Sequence, residues 1–244
     1  MIVMPRFYIS EPPLTNTLYA LPTQAAHHAA RVLRMAAGDD LVLFDGSGRE
    51  WHATVARIDR REVVVSVKEC CAVSRESPLA IVLAQGISNG ERMDFTLQKA
   101  VELGVTRIQP IACARSVVKL AGERADKRRE HWQNLVAAAC EQCGRNVVPE
   151  VAPVLGLQSW LSLPSAPRLG IIFAPAATET LHTLAKPQTD IAILAGPEGG
   201  FTADEYRQAT SAGFIAVRLG PRILRTETAA LAALSAMQVL WGDL

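Results

Sequence analysis

Along this chain the apolar positions first come in short runs, at residues 6–9, 40–44, 50–58 and 63–67, separated by polar turns such as Asp-Gly-Ser-Gly at 45–48. Runs of that length bounded by turn residues predict strands, and the set reads as a small β-barrel. One helical stretch interrupts it at 24–35, with Thr23 as its cap and Gly38 beyond its end. His27, Arg31 and Arg34 fall at i, i+4 and i+7 of that helix, on one face that by itself reads as solvated.

After a polar link at 73–78 the rhythm changes to strand, helix, strand, helix. Residues 79–85 and 107–111 read as strands, and 91–103 as a helix stopped by Gly104, with Met93, Leu97, Ala100 and Val101 on its apolar face. A second amphipathic helix is predicted at 127–143, where Lys127, Arg128 and Arg129 oppose the positive end of the helix dipole. Strands at 169–173, 191–195 and 214–219 complete a mainly parallel α/β domain with helices on both faces of its sheet. Two domains are therefore expected, 1–74 and 75–244.

Two glycine-marked segments each follow one of these late strands. The first carries Gly196, Pro197, Glu198, Gly199 and Gly200, and the Thr-Ala-Asp-Glu string at 202–205 after it has the form of a capping box, so a helix should start at Ala203. The second carries Leu219, Gly220, Arg222, Ile223, Leu224, Arg225 and Glu227 ahead of an alanine-rich helix expected at 226–241. Ligands of open α/β sheets bind at the strand ends where such loops lie.

Composition narrows the ligand. The chain has 244 residues and a net charge of +1, so charge totals do not announce a nucleic-acid binder, and any such surface must come from local clustering. No apolar stretch approaches the roughly 20 residues of a membrane span, and the N-terminal residues lack the form of a secretory signal, so a cytoplasmic location is expected. The five cysteines, an odd number with Cys70 and Cys71 adjacent, predict reduced thiols. Cys140 and Cys143 have C-x-x-C spacing without a second ligand pair, which reads as helix packing, and no metal is expected. Neither a P-loop nor an early G-x-G-x-x-G is present, and Glu198 would repel a triphosphate. A cationic or neutral ligand held by main-chain groups fits better, and S-adenosylmethionine, a sulfonium with an adenine edge, is of that kind.

The strings Gly-Pro-Glu-Gly-Gly-Phe-Thr-x-x-Glu at 196–205 and Leu-Gly-x-Arg-Ile-Leu-Arg-Thr-Glu-Thr-Ala at 219–229 resemble the two cofactor-loop motifs of the bacterial RsmE family. Weaker likenesses are Arg-Phe-Tyr at 6–8, His27 and His28 followed by Val-Leu-Arg at 32–34, Leu-Phe-Asp-Gly at 43–46, Lys-Ala-x-Glu-Leu-Gly-Val at 99–105, and Glu141, Gln142 and Arg145 with Pro149. The resemblance implies a SPOUT-type α/β domain with a trefoil knot, preceded by a small PUA-like β-barrel that binds RNA. It implies an S-adenosylmethionine-dependent methyltransferase acting on N3 of a uridine in small-subunit ribosomal RNA. By that analogy Leu194, Gly196, Pro197, Gly199 and Gly200 line one side of the cofactor site, and Leu219, Gly220, Ile223, Leu224 and Arg225 the other. Arg225 and Arg222 become candidates for stabilising the uridine anion, and Glu198 or Glu227 for taking its proton. Arg6, His27, Arg31, Arg34, Arg115 and Lys119 become candidate RNA contacts. The family implies a homodimer, for which a stripe of Ala230, Leu234, Met237 and Trp241 on the last helix could supply the interface, although core packing inside one subunit would look the same in sequence. Two alternatives stay open: methylation of a ribose 2′-OH, and an RNA-binding ribosome assembly factor without catalysis.

Overall fold

The computed structural model describes residues 4–60, 62–164 and 168–244, in two units: Met1–Glu76 with Cys140–Val148, and Ser77–Ala139 with Pro149–Leu244. In the first unit, strands β1 (Arg6–Tyr8), β2 (Leu18–Ala20), β3 (Asp40–Phe44), β4 (Arg49–Ile58) and β5 (Val63–Ala72) form one sheet in the order β1-β3-β4-β5-β2. The β1–β3 pair is parallel and the rest antiparallel, with register shifts between Trp51 and Ala53 and between Val55 and Arg57. Such bulges bend a strand and increase its twist. Phe7, Ile9, Leu41, Leu43, Trp51 and Val65 fill the core, with Ala25, Ala26 and Ala29 packed among them.

The helix expected at 24–35 is reorganised. It begins as α1 (Thr23–His27), with Pro22 in the cap position and no side-chain cap bond, and continues as one π turn over His28–Val32. It closes with the Met35 amide donating to Ala29 O at 3.0 Å while Arg34 sits at φ 54°. That closure is one residue wider than the six-to-one bond of a Schellman turn, as the π turn before it dictates, and it puts arginine in the left-handed position where glycine is usual. Burial of Met35 closes the turn against the core, so Arg34 leaves the helix and does not share the face of His27 and Arg31. All three side chains are exposed.

Residues 140–148 explain the weak sequence likenesses, because they pack with 6–8 inside the first unit. Arg6 is corrected as an RNA contact: its side chain is only 8% exposed, with the guanidinium donating to Glu50 at 2.9 Å, to Asn146 Oδ1 and to Arg145 O. The Tyr8 amide donates to Glu141 at 2.8 Å, and burial pushes the Glu141 carboxyl up. Arg145 pairs with Glu76. Burial also tends to raise the Glu50 carboxyl, but hydrogen bonds from Asn146, Arg6 and Arg75 outweigh it and hold the pKa down at about 2. Cys140 is buried, its thiol pushed up to about 12, so it remains a thiol donating to Val147 O at 3.7 Å. Among the described residues no group of three or more His, Cys, Asp or Glu side chains is placed to hold a metal.

The second unit is a parallel sheet. Its strands are β6 (Ile81–Gly86), β7 (Arg107–Ala112), β8 (Glu150–Val151), β9 (Leu155–Gly156), β10 (Arg168–Phe173), β11 (Asp190–Ala195) and β12 (Ile215–Val217). Their order is β12-β10-β11-β6-β7-β8, with β9 also on β7. Helices α4 (Leu157–Leu161) and α5 (Ala203–Ser211) cover one face, where Trp160, Ala209 and Phe214 pack on Ala84, Ile172, Ala192 and Leu194. Alternate strand residues point the other way. On that side α2 (Gly90–Glu102) packs against α6 (Thr226–Trp241), and α6 also meets β11. β2, β8, β9 and α4 were not expected, being too short for any periodicity to show.

Helix α3 (Glu123–Cys143) starts four residues before the expected position, so Glu123 and Asp126 occupy its first turn and the predicted conflict with the dipole disappears. Of the two readings of the stripe Ala230, Leu234, Met237 and Trp241, core packing is the one observed, and the large apolar side chains that α6 exposes are Val239 and Leu240. From the edge strand β12 the chain returns across β10 to seat Thr226 beside the ends of β11 and β6. No described helix is long and apolar enough to cross a membrane.

Candidate functional site

The site is built at the carboxyl ends of β10, β11, β6 and β12, where the parallel ladders stop and the loops must turn. The first loop leaves β11 as a tight turn, Gly200 N–H donating to Pro197 O at 2.8 Å with Gly200 at φ 65°, a conformation that favours glycine. Two further glycines are dictated by contact: a Cβ on Gly199 would stand 2.8 Å from Arg115 Cβ, and one on Gly86 would stand 2.6 Å from the Pro197 nitrogen. The loop then enters α5 through the expected capping box, the Thr202 hydroxyl accepting from the Glu205 amide at 3.1 Å and the Glu205 carboxylate from the Thr202 amide at 2.8 Å. The other oxygen of Glu205 accepts from the Ala114 amide at 2.7 Å, which ties the loop after β7 to the same point.

A cleft of about 960 Å³ opens between this loop and the segment leading into α6. Gly196, Pro197, Gly199, Gly200, Leu219, Gly220, Ile223, Leu224 and Arg225 line it, together with Arg222, Glu198 and Glu227. Leu194 is a correction. It is fully buried in the core under α4 and α5 and does not line the cleft, because the alternation of β11 turns it into the sheet face. The sequence reading missed a third wall, Phe173, Ala174, Pro175 and Ala176 after β10, whose only signal was an apolar strand ending in Ala-Pro. It also missed Gln85 and Thr226, which stand at the junction of the two loops.

Hydrogen bonding separates the charged candidates. Glu198 Oε1 accepts from the Asn89 amide at 2.8 Å and faces Arg92 at 3.4 Å, so it holds the first loop to the start of α2. Arg115 donates to Gly199 O at 3.1 Å and Phe201 O at 3.3 Å, and Lys119 to Cys113 O and Ala114 O; both brace the loops in this arrangement. The side chains of Arg222 and Arg225, by contrast, have no hydrogen-bond or ion-pair partner among the described residues although both residues line the cleft. Burial pushes the Cys113 thiol, beside Glu205, up to about 12, which removes it as a nucleophile at neutral pH.

The cleft suits a ligand that is cationic and read by main-chain groups. Glu198 Oε2 and Glu227 Oε2 are both buried without a partner, two carboxylate oxygens that a positive group would satisfy. Among the described residues no backbone hydrogen bond is made by residues 219–224, whose amides and carbonyls could therefore meet a ligand. The larger share of the walls is apolar, as expected of a small-molecule site.

Residues 75–238 match the model of an RNA methyltransferase domain, and residues 21–68 that of an RNA methyltransferase PUA domain. Over 240 residues the chain is 35% identical to the ribosomal RNA small subunit methyltransferase E of Buchnera aphidicola from Acyrthosiphon pisum, covering 98% of this chain and 95% of that protein. It is 34% identical to the Bacillus subtilis protein of the same name, covering 92% and 93%. Among solved structures, a putative methyltransferase from Legionella pneumophila in complex with S-adenosylmethionine superposes with a TM-score of 0.95 at 40% identity, covering all of both chains. The ribosomal RNA small subunit methyltransferase E of Neisseria gonorrhoeae, bound to S-adenosylmethionine, gives 0.92 at 43% identity over 99% of this chain and 100% of that one. By sequence, fold and the arrangement of its two loops, the chain belongs to the RsmE family, the ribosomal RNA small subunit methyltransferases E.

Proposed function

We propose that this protein methylates N3 of a uridine in small-subunit ribosomal RNA. The coarser statement stands on the family: it is an S-adenosylmethionine-dependent methyltransferase that acts on ribosomal RNA. The observation that carries the finer reading is the pair of unengaged arginines, Arg222 and Arg225, beside a cleft fitted to a cation.

When bound, S-adenosylmethionine supplies an electrophilic methyl group on a sulfonium. Gly196 to Gly200 and Leu219 to Leu224 would hold it through main chain, with Glu198 and Glu227 facing its positive charge. The acceptor nitrogen N3 carries a proton, and its lone pair becomes available only when that proton leaves. Negative charge then spreads onto O2 and O4 of the base. The guanidinium of Arg225, with Arg222 next to it, can donate to those oxygens, an electrostatic role of the oxyanion-hole type. Glu227, in the first turn of α6, is the carboxylate we assign to accept the proton, since Glu198 is committed to the Asn89 amide. N3 lies on the Watson–Crick edge, so the target base must be unpaired or flipped out.

In the first unit His27, Arg31 and Arg34 offer exposed groups to RNA phosphates, and Arg34 does so from a strained backbone. Left-handed backbone costs a side-chain-bearing residue about 1 kcal/mol. Arg34→Gly is therefore expected to raise the melting temperature by a few degrees while weakening RNA binding at low salt. Calorimetric melting together with filter binding checks both; a variant that binds RNA as well as the parent removes Arg34 from the interface.

The function itself is tested by incubating the protein with labelled S-adenosylmethionine and 30S particles or ribosomal RNA lacking the modification, followed by nucleoside analysis. A 3-methyluridine product is expected. A 2′-O-methylated nucleoside would replace the N3 assignment, and cofactor binding without any transfer would favour an assembly factor. The reading includes a homodimer formed through the C-terminal domain, and a cytoplasmic location.

A further inference from the structure

Gln85 stands at the carboxyl end of the central strand β6, 0% exposed and outside the lining of the cleft. The two protons of its side-chain amide are shared among three acceptors, Gly86 O at 3.1 Å, Thr226 Oγ1 at the start of α6 at 3.0 Å and, farther off, Gly196 O in the first loop at 3.4 Å. The Thr226 hydroxyl in turn donates to the same Gly196 carbonyl. A hydroxyl has one proton and two lone pairs, so accepting from Gln85 and donating to Gly196 uses it in one consistent direction. Among the described residues this triangle is the hydrogen-bonded link between the two loops that face each other across the cleft.

Gln85 Oε1 is buried without a partner among the described residues, an unmet acceptor that costs about 1–3 kcal/mol, so what the side chain contributes lies in the groups to which its amide donates. What the amide secures is the separation between Gly196 and the first residue of α6. We infer that Gln85 is a positioning residue: through Thr226, which lines the cleft, it fixes the gap between the two loops to the width S-adenosylmethionine binding requires, while Gln85 itself stays outside the lining. A gap set in advance reduces the ordering cost of binding. The inference rests on the cofactor reading above.

The test measures S-adenosylmethionine affinity by calorimetry, melting temperature, and methyl transfer to 30S particles for four variants beside the parent. Gln85→Leu and Thr226→Val are each expected to bind the cofactor about tenfold more weakly, the equivalent of one lost hydrogen-bonded link, with the apparent KM for RNA and kcat at saturating cofactor unchanged. Thr226→Ser, which keeps the hydroxyl, is expected within about twofold of the parent, and the double variant no weaker than the weaker single, because residues of one network are not additive. If Gln85→Leu does not fold, the contrast between Thr226→Val and Thr226→Ser decides. Parent-like affinity in a folded Gln85→Leu or in Thr226→Val, or equal losses in Thr226→Val and Thr226→Ser, overturns the inference. A parent protein that fails to bind S-adenosylmethionine overturns the cofactor reading, whereas parent binding with unaltered Gln85→Leu and Thr226→Val affinities overturns the latch alone.

Discussion

Arg225→Ala is expected to lower kcat for methyl transfer by about 10²–10³-fold, the loss typical of removing one donor to a developing oxyanion. Cofactor affinity should change far less, and the melting temperature hardly at all. The reasoning is local: Arg225 occupies the cap position of α6 with no side-chain cap bond, lines the cleft, and has no partner inside the protein among the described residues. Deleting it therefore breaks nothing in the folded state, and the whole effect should fall on the bound acceptor. Arg225→Lys keeps the charge but loses the planar fork of donors, so it should recover only part of the rate. Single-turnover methylation at saturating cofactor, read beside calorimetric melting, separates the outcomes. A loss under about threefold would leave too little transition-state stabilisation for the assigned role, and a large fall in melting temperature would make Arg225 structural.

Glu50→Ala should have the largest effect on stability. Glu50 is 5% exposed at its side chain and receives Arg6 at 2.9 Å, Arg75 at 3.0 Å and Asn146 at 2.9 Å. Removing it leaves the buried Arg6 guanidinium without its counter-charge, a change that typically costs about 3–5 kcal/mol. The pH dependence has a definite sign. The carboxyl titrates at about 2 in the folded protein against 4.5 ordinarily, so its contribution is complete above 4.5 and is lost as pH falls through the folded value. Melting curves of the parent and Glu50→Gln should be separated at neutral pH and converge toward pH 2 as the parent's carboxylate is protonated. A gap that stays constant over that window would mean that Glu50 acts through packing and not through charge.

The large parallel strands and the helices at 90–102 and 226–241 were legible because each repeats its apolar positions over several turns or spans a fully apolar run. The capping box at 202–205 was legible to the residue, since a cap is a local code. Arg34 was not, because its departure from the helix follows from burial of Met35 in a core assembled from distant strands. Nor could spacing show that residues 140–148 fold with the first unit, which depends on Arg6, Glu50 and Asn146 meeting across more than 90 positions of sequence.

At the site, the sequence by itself determined the two loops, their lack of phosphate-binding chemistry, and a family likeness specific enough to name the cofactor class, because glycines and caps act on their immediate neighbours. Tertiary structure alone decided which charges are free. Arg6, Glu198, Arg115 and Lys119 look like available groups in the sequence and are each bound to a partner in the fold, while the side chains of Arg222 and Arg225 have none among the described residues. Hydrogen-bond partners are chosen by proximity in space, and proximity is set by the packing of the whole sheet; so the division between residues that hold the cleft and residues that face its ligand appears only after folding.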